Sequence, residues 1–184
     1  MRISAYLLAG ALVAGFGHAA KADQTDPKLD RLFADLKGAE PGDAAGLIEA
    51  EIWQTWGQAN DTTVDQEMAD GAALMTSGDL AGALTVFDKV VAQAPKFAEG
   101  WNKRATTLYF MGRLDDSKRD IGHVLALEPR HFGALSGLSM CEMRLNRTRE
   151  AIEALERAQA IDPSLRGIAA NIQQLKAKLA RESI

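Results

Sequence analysis

The chain is poor in the residues that carry most recognisable chemistry. It has one cysteine, Cys141, in 184 residues, which excludes an internal disulfide and any zinc or iron–sulfur site built from several thiolates. Histidine is nearly as scarce. Beyond His18 there are only His123 and His131, with no second nitrogen ligand spaced to share a metal, so both are expected to be ordinary surface or turn residues. Aromatics make up 6% and prolines number five, which argues against a many-stranded sandwich or barrel; Ala, Leu, Glu, Lys and Arg are plentiful, as in all-helical chains. A basic excess is also missing. With 21 Lys+Arg against 25 Asp+Glu the net charge is −4, the wrong sign for a surface that neutralises nucleic-acid phosphates. There is no phosphate-binding loop and no dinucleotide fingerprint. Ser136 and Ser139 in GALSGLSM lack the flanking glycines and the strand-to-helix elbow of a nucleophile motif. No catalytic residue, cofactor or metal is therefore expected.

What is present begins with an export signal. Arg2 is followed by an apolar run from Ile3 to Gly17, and Ala20-Lys21-Ala22 gives the small-x-small pattern of a cleavage site. The run is about 15 residues long, short of the roughly 20 that span a bilayer as a helix. Residues 1–22 are thus expected to be removed after Ala22, leaving no stable membrane anchor and placing the mature protein in the bacterial periplasm. Without Arg2 and Lys21 the net charge becomes −6.

The rest is periodic. Pro95, Pro129 and Pro163 recur at a constant 34-residue step, and the same step links Gly78, Gly112 and Asn146, the residue types that most readily take the left-handed conformation ending a helix. It also links the small residues Gly71, Ala105 and Ser139, the small residues Ala83, Ser117 and Ala151, and the large apolar Phe87, Ile121 and Leu155. Each unit reads as two helices, the first over 64–77, 98–111 and 132–145, the second over 80–93, 114–127 and 148–161. Small residues let the two helices cross closely, and the large column fills the space beside the crossing. At about 14 residues none would be stable alone, so neighbours must supply the stability.

This pattern resembles the tetratricopeptide repeat: small residues at the eighth and twentieth positions, a large apolar residue at the twenty-fourth, proline at the thirty-second, and Trp101 at the position of the family tryptophan. The resemblance implies an all-α superhelix, a solenoid with units at 64–97, 98–131 and 132–165. Residues 23–63 then form an N-terminal cap hairpin; Trp53, one full repeat step before Phe87, makes it look like a degenerate repeat in phase with the others. Residues 166–184 supply a C-terminal capping helix with Lys176, Lys178 and Arg181 toward water.

In the family the first helices line a concave groove. Carried over by position, the groove would take Met68 and Met75 from the first unit, Asn102, Thr106, Tyr109 and Phe110 from the second, and Met140, Met143 and Arg144 from the third. The resemblance makes this an adaptable, methionine-rich trough for a peptide or helix, with Asn102 anchoring a ligand backbone and Arg144 meeting an acidic side chain. The basic clamp that some members close on a C-terminal carboxylate is not matched: Met68, Ala72 and Gly137 stand at those positions, which disfavours an EEVD-type ligand. Three charges occupy positions that are usually apolar. Asp70 and Arg104 are expected to pair between adjacent first helices, with Glu142 reaching Arg104 as well. Cys141 is expected in a small slot between helices, the alternative being an intermolecular disulfide.

Charge is uneven along the chain, net −9 over 23–97 and +3 over 98–184, which could orient a partner or a second copy. The expected role is a non-enzymatic scaffold or adaptor for a protein or peptide. A chaperone-like binder of unfolded apolar segments and a self-associating, homo-oligomeric envelope protein are the alternatives.

Overall fold

A computed structural model describes residues 23–182, so the expected export signal over 1–22 lies outside the described residues. After one 3-10 turn, Asp23–Thr25, come nine α-helices and, among the described residues, no strand. They are α1 (Lys28–Gly38), α2 (Asp43–Trp56), α3 (Thr62–Ser77), α4 (Leu80–Gln93), α5 (Ala98–Phe110), α6 (Leu114–Leu127), α7 (Phe132–Arg144), α8 (Thr148–Ile161) and α9 (Ile168–Glu182). No helix among the described residues is long and apolar enough to cross a membrane.

The repeat step is visible in the backbone. Gly78, Gly112 and Asn146 all have positive φ, at 86°, 78° and 59°, and each ends the first helix of its unit. The turn that follows each second helix closes with a repeated hydrogen bond, from Phe97 N to Ala94 O, His131 N to Glu128 O and Leu165 N to Asp162 O. Helix starts are capped where the side chain allows: Asp61 accepts from Thr63 N and Val64 N ahead of α3, and Asp79 accepts from Gly82 N ahead of α4. Within a unit the crossing depends on small residues. A β-carbon on Gly71 would lie 2.6 Å from the Phe87 ring, so only glycine lets α3 approach α4 this closely. The first unit closes its own core, in which Val64, Met68, Ala83, Phe87, Val90 and Phe97 pack together.

The N-terminal hairpin lies elsewhere than its repeat phase suggests. That first-unit core contains no residue of α1 or α2. Instead Leu29, Phe33 and Leu36 of α1 and Ile52 and Trp56 of α2 share one continuous core with Phe132 and Leu135 of α7, Ile152 and Leu155 of α8, and Ile168 and Ile172 of α9. The hairpin folds back along the edge that carries the inter-unit turns. Gln24 bonds the backbone of Lys96 and Ala98 in the first turn. Arg130 in the second donates to Asp30 at 2.7 Å, and Ser164 in the third donates to Glu49 at 2.9 Å. Trp53 therefore does not play the part of Phe87. It meets Trp56, His131 and Phe132 edge-on, each at 5.4 Å between ring centroids. The cause is the aromatic surface of the hairpin, Phe33, Trp53 and Trp56, which finds matching rings at the α6–α7 turn, and a linker over 57–61 long enough to let it turn back.

Three charged positions also pair differently from expectation. Arg104 donates from Nε and Nη2 to both oxygens of Asp120, each at 2.7 Å, and from Nη1 to Asp88 at 3.1 Å. Its partners are thus the second helices of its own unit and of the unit before, not Asp70. Asp70 is exposed at the open end of the stack and accepts from Gln66. Glu142 pairs with Lys118 at 2.5 Å and with Arg147 at 3.5 Å. Cys141 is fully buried, its Sγ 3.4 Å from Ser117 Oγ, and burial pushes the thiol up from its usual range. That burial removes the intermolecular disulfide read as an alternative from the sequence.

Candidate functional site

The first helices α5 and α7 and the final helix α9 line one side of the stack, and two cavities open there. One, of about 150 Å³, lies between α5 and α7 and is bordered by Asn102, Thr106, Tyr109 and Phe110 on one helix and Ser136 and Met140 on the other. The second, of about 310 Å³, lies between α7, α8 and α9 and takes in Met140, Met143, Leu155, Leu165, Ile168 and Leu175. Ser136 and Met140 border both, so the two form one trough running from α5 to α9. Its rim is apolar and open to solvent: Phe110 is 59% exposed, Met140 39% and Met143 40%.

Seven of the nine groove residues named from the sequence lie in or beside this trough, and two do not. Met68 is buried in the first-unit core beside Val64, Ala59 and Phe97, and Met75 packs against the same cluster. Their position along the repeat is a groove position, but in the first unit that face belongs to the cluster that holds Ala59, Val64, Phe87 and Phe97. Arg144 stands beside the trough, yet its guanidinium is already engaged. Nη1 donates to Tyr109 O at 2.9 Å, and the group lies 5.1 Å over the Tyr109 ring. It ties α7 to a carbonyl near the end of α5 that also accepts from Gly112 N at 3.0 Å, rather than waiting for an acidic ligand.

Asn102 is likewise committed. Its Nδ2 donates to Glu99 Oε2 at 2.8 Å within a buried polar network beneath the trough. Glu99 is 3% exposed and also bonds Nε2 of His131 at 3.1 Å and Nζ of Lys103 at 3.1 Å. Burial alone would push the Glu99 carboxyl up, but the His131 hydrogen bond, the positive charge of Lys103 and the Asn102 amide outweigh it and hold the group below the usual carboxylate range. Of the two expected places for His131, surface or turn, it takes the turn, between α6 and α7, and is fully buried there. Its Nδ1 accepts from Ala134 N at 3.1 Å, capping α7, so the ring proton must sit on Nε2, the atom that donates to Glu99. Trp56 of the hairpin stacks on the same imidazole, with centroids 4.2 Å apart and planes 8° from parallel. His131 thereby links the groove floor, the α7 cap and the hairpin.

Sequence reasoning misses the contribution of α9. Read as a cap, it covers the last repeat with the apolar stripe Leu165, Ile168, Ile172, Leu175 and Leu179 and has no part in the groove, whereas in the structure Asn171, Gln174 and Leu175 also form a wall of the larger cavity. A signal exists: counting the repeat step on from Phe132 makes Arg166 a first position and Gln174 a ninth, which is a groove position in the earlier units. A further cavity of about 270 Å³ lies among α4, α5 and α6, walled by Trp101, His123 and the paired Arg104, Asp88 and Asp120. His123 is exposed and stacks on Trp101 at 4.3 Å. No group of three or more His, Cys, Asp or Glu among the described residues is arranged to hold a metal ion.

Comparison with known proteins agrees with this geometry. A family model described as tetratricopeptide repeat matches residues 102–165. A TPR repeat-containing protein of Rhizobium etli is 35% identical over 153 residues, a match that spans 83% of this chain and 75% of that protein. Among solved structures, the first TPR of Spaghetti (RPAP3), bound to an HSP90 peptide SRMEEVD, superposes with a TM-score of 0.61 at 17% identity, covering 64% of this chain and 93% of that one. MamA superposes with a TM-score of 0.53, also at 17% identity, covering 83% and 95%. At such identities the two structures speak for the fold alone.

Proposed function

Because this chain belongs to the tetratricopeptide-repeat family, we propose that it is a non-enzymatic scaffold that holds a segment of another protein in the trough between α5, α7 and α9, and that it works in the bacterial periplasm. The observation that carries this reading is the joined pair of cavities, with an apolar, exposed rim at Phe110, Met140 and Met143. Isolated exposed apolar side chains are ordinary, but a contiguous set lining a concavity is the surface a partner covers. The RPAP3 relative holds an HSP90 peptide and a yeast Sti1 domain is described in complex with pHsp70, so the fold accommodates peptides. A C-terminal EEVD-type peptide is not the ligand favoured here, since the clamp position at Met68 is buried and apolar. The periplasmic location rests on the apolar run and small-x-small pattern of residues 1–22.

The test is affinity capture of partners from the host envelope fraction, beside a Phe110→Glu/Met143→Glu variant. Both side chains are exposed, so the variant should keep its helicity and thermal midpoint. One enriched protein lost in the variant is the expected result. A broad spread of apolar clients, equally lost, would turn the reading toward a chaperone-like binder, and recovery of the chain itself toward self-association. Identical capture by both proteins sinks the groove reading. Fractionation together with N-terminal sequencing checks the location, with Asp23 expected as the first residue.

A further inference from the structure

One helix face in the stack lacks the partner that its counterparts have. On the side toward the start of the stack, α5 packs on α4, α7 on α6 and α9 on α8, each on the second helix of the unit before. Among the described residues no second helix covers α3 in this way, because the N-terminal hairpin packs on α7–α9 instead. Gln66, Asp70, Ala73 and Ser77 recur on α3 at helical spacing, and all four are exposed. Leu74 shows what is missing. It is only half-buried, whereas Leu108, at the same repeat position in α5, is 3% exposed.

The charge of this face says what fits it. Arg104 holds the seventh repeat position in α5 and donates to Asp88 of the covering helix α4 at 3.1 Å. In α3 the seventh position is Asp70, so the sign is inverted and a covering helix has to bring a cation. Asp61, Asp65, Glu67, Asp70 and Asp79 follow one another along this unit, and residues 38–88 contain no Lys or Arg at all. Among the described residues these five carboxylates accept from backbone amides or from Gln66 and Gln93, and none pairs with a cation.

The far end of the stack has the opposite charge. Residues 165–181 carry Arg166, Lys176, Lys178 and Arg181 and no acid. While Ile168, Ile172, Leu175 and Leu179 of α9 face the core, Ala170, Gln173, Ala177 and Arg181 recur at helical spacing and are exposed. Both open helices therefore present short side chains that permit close approach, with opposite charge to draw front to back. Like charge keeps front from front and back from back.

We infer that copies of this chain stack end to end, the outer face of α9 in one copy seated on the open face of α3 in the next, with Arg181 against Asp70. A front that meets a back is a heterologous contact: each added copy repeats it, giving rings or filaments rather than a closed pair. The stripes that meet, on α3 and on α9, include no residue that lines either trough cavity, so stacking repeats the trough at every step. With little apolar surface to bury, the attraction is chiefly electrostatic and is screened by salt.

Sedimentation velocity on the purified protein tests this, from about 1 μM to about 500 μM, in low salt and in about 0.5 M salt. The expected result is a sedimentation coefficient that climbs with concentration past that of two copies in low salt and returns to one copy in high salt. Asp70→Lys sets a lysine against Arg181, and Arg181→Glu sets a glutamate against Asp70. Each variant alone should need at least tenfold higher concentration to assemble, with unchanged helicity, since both positions are exposed. Mixed in equal amounts, the two variants should assemble as the unaltered protein does, because every junction again joins opposite charges. A coefficient independent of concentration in low salt overturns the inference. So does growth that stops at two copies, assembly that survives both substitutions, or a mixture no better than either variant alone. The trough reading fails separately: self-capture through the ends persists in Phe110→Glu/Met143→Glu and is lost in Asp70→Lys, whereas a copy lodged in the trough behaves the other way round.

Discussion

Replacing Trp56 by alanine would test the fold-back of the N-terminal hairpin. The indole is 1% exposed, stacks on His131, and has its centroid 5.8 Å from Phe33 and 5.2 Å from Phe132. Truncating a large buried aromatic to alanine costs about 3–5 kcal/mol in lost transfer energy and residual cavity. The loss should fall on docking rather than on the repeats. The partners of the ring are divided between the hairpin and the α6–α7 turn, and helices of 11 and 14 residues are marginal without something to pack on. At roughly 1.4 kcal/mol per tenfold, the opening equilibrium of the hairpin rises by about two to three and a half powers of ten. Hydrogen–deuterium exchange reads this directly. Amides of α1 and α2 should lose at least a hundredfold in protection or reach free exchange, and those of α7–α9 facing them should weaken. Amides of α3 and α4, whose core holds no hairpin residue, should change by less than about threefold. If α3 and α4 lose protection together with the hairpin, it is stacked on the first unit and the fold-back is wrong. Unchanged exchange in α1 and α2 would refute it equally.

Three further outcomes are expected. Arg104→Met leaves Asp120, 3% exposed, as a buried carboxylate without its bidentate partner; because Arg104 itself is about one-fifth exposed the cost should be about 2–3 kcal/mol, or roughly 5–10 °C in thermal midpoint, and Asp120→Leu added to it should restore most of the loss. Glu99 has a folded pKa below its usual 4.5, so the unfolded chain takes up the proton first: the stability this carboxylate contributes is fully present above about 4.5 and is lost as pH falls through the lowered folded value, and the gap in denaturant midpoint between the protein and Glu99→Gln should shrink from pH 6 to pH 3. Cys141 should react with a thiol reagent in the native protein no faster than the core opens, and fast labelling would show that the slot is not closed.

The helices and their turns were legible because each repeat imposes the same conformational demand at the same place. Gly78, Gly112 and Asn146 share a left-handed backbone, and a run of like residues at one period leaves little room for another reading. Trp53 shows where that logic stops. Its phase with Phe87 is correct as arithmetic, but phase fixes a place in the sequence pattern and not a neighbour, and the neighbour was decided by an aromatic surface far along the chain at His131 and Phe132. Arg104 fails for a related reason. The seventh position can face either the adjacent first helix or the second helices beside it, and only coordinates show that Asp120 and Asp88 lie within reach. Position alone placed Thr106, Tyr109, Phe110, Met140 and Met143 on one face, and they line the trough there. It could not tell that Asn102 and Arg144 were already engaged by Glu99 and Tyr109, because a hydrogen bond within the site leaves no periodic trace.

The fold-back also sets an order of events. A helical solenoid ordinarily closes by short-range contacts, each unit forming on the one before it, which makes for rapid folding. Here α1 and α2 are completed by segments synthesised long after them: Asp30 waits for Arg130, 100 residues on, and Glu49 for Ser164, 115 residues on. Until α7–α9 exist, the rings of Phe33, Trp53 and Trp56 have no permanent cover, and the chain must hold two amphipathic helices in reserve. Docking them closes a large loop, an entropic cost that grows only slowly with length and falls late in folding. Once closed, the loop ties the hairpin to α7–α9, so these helices open together while the first unit, with a core of its own, opens separately.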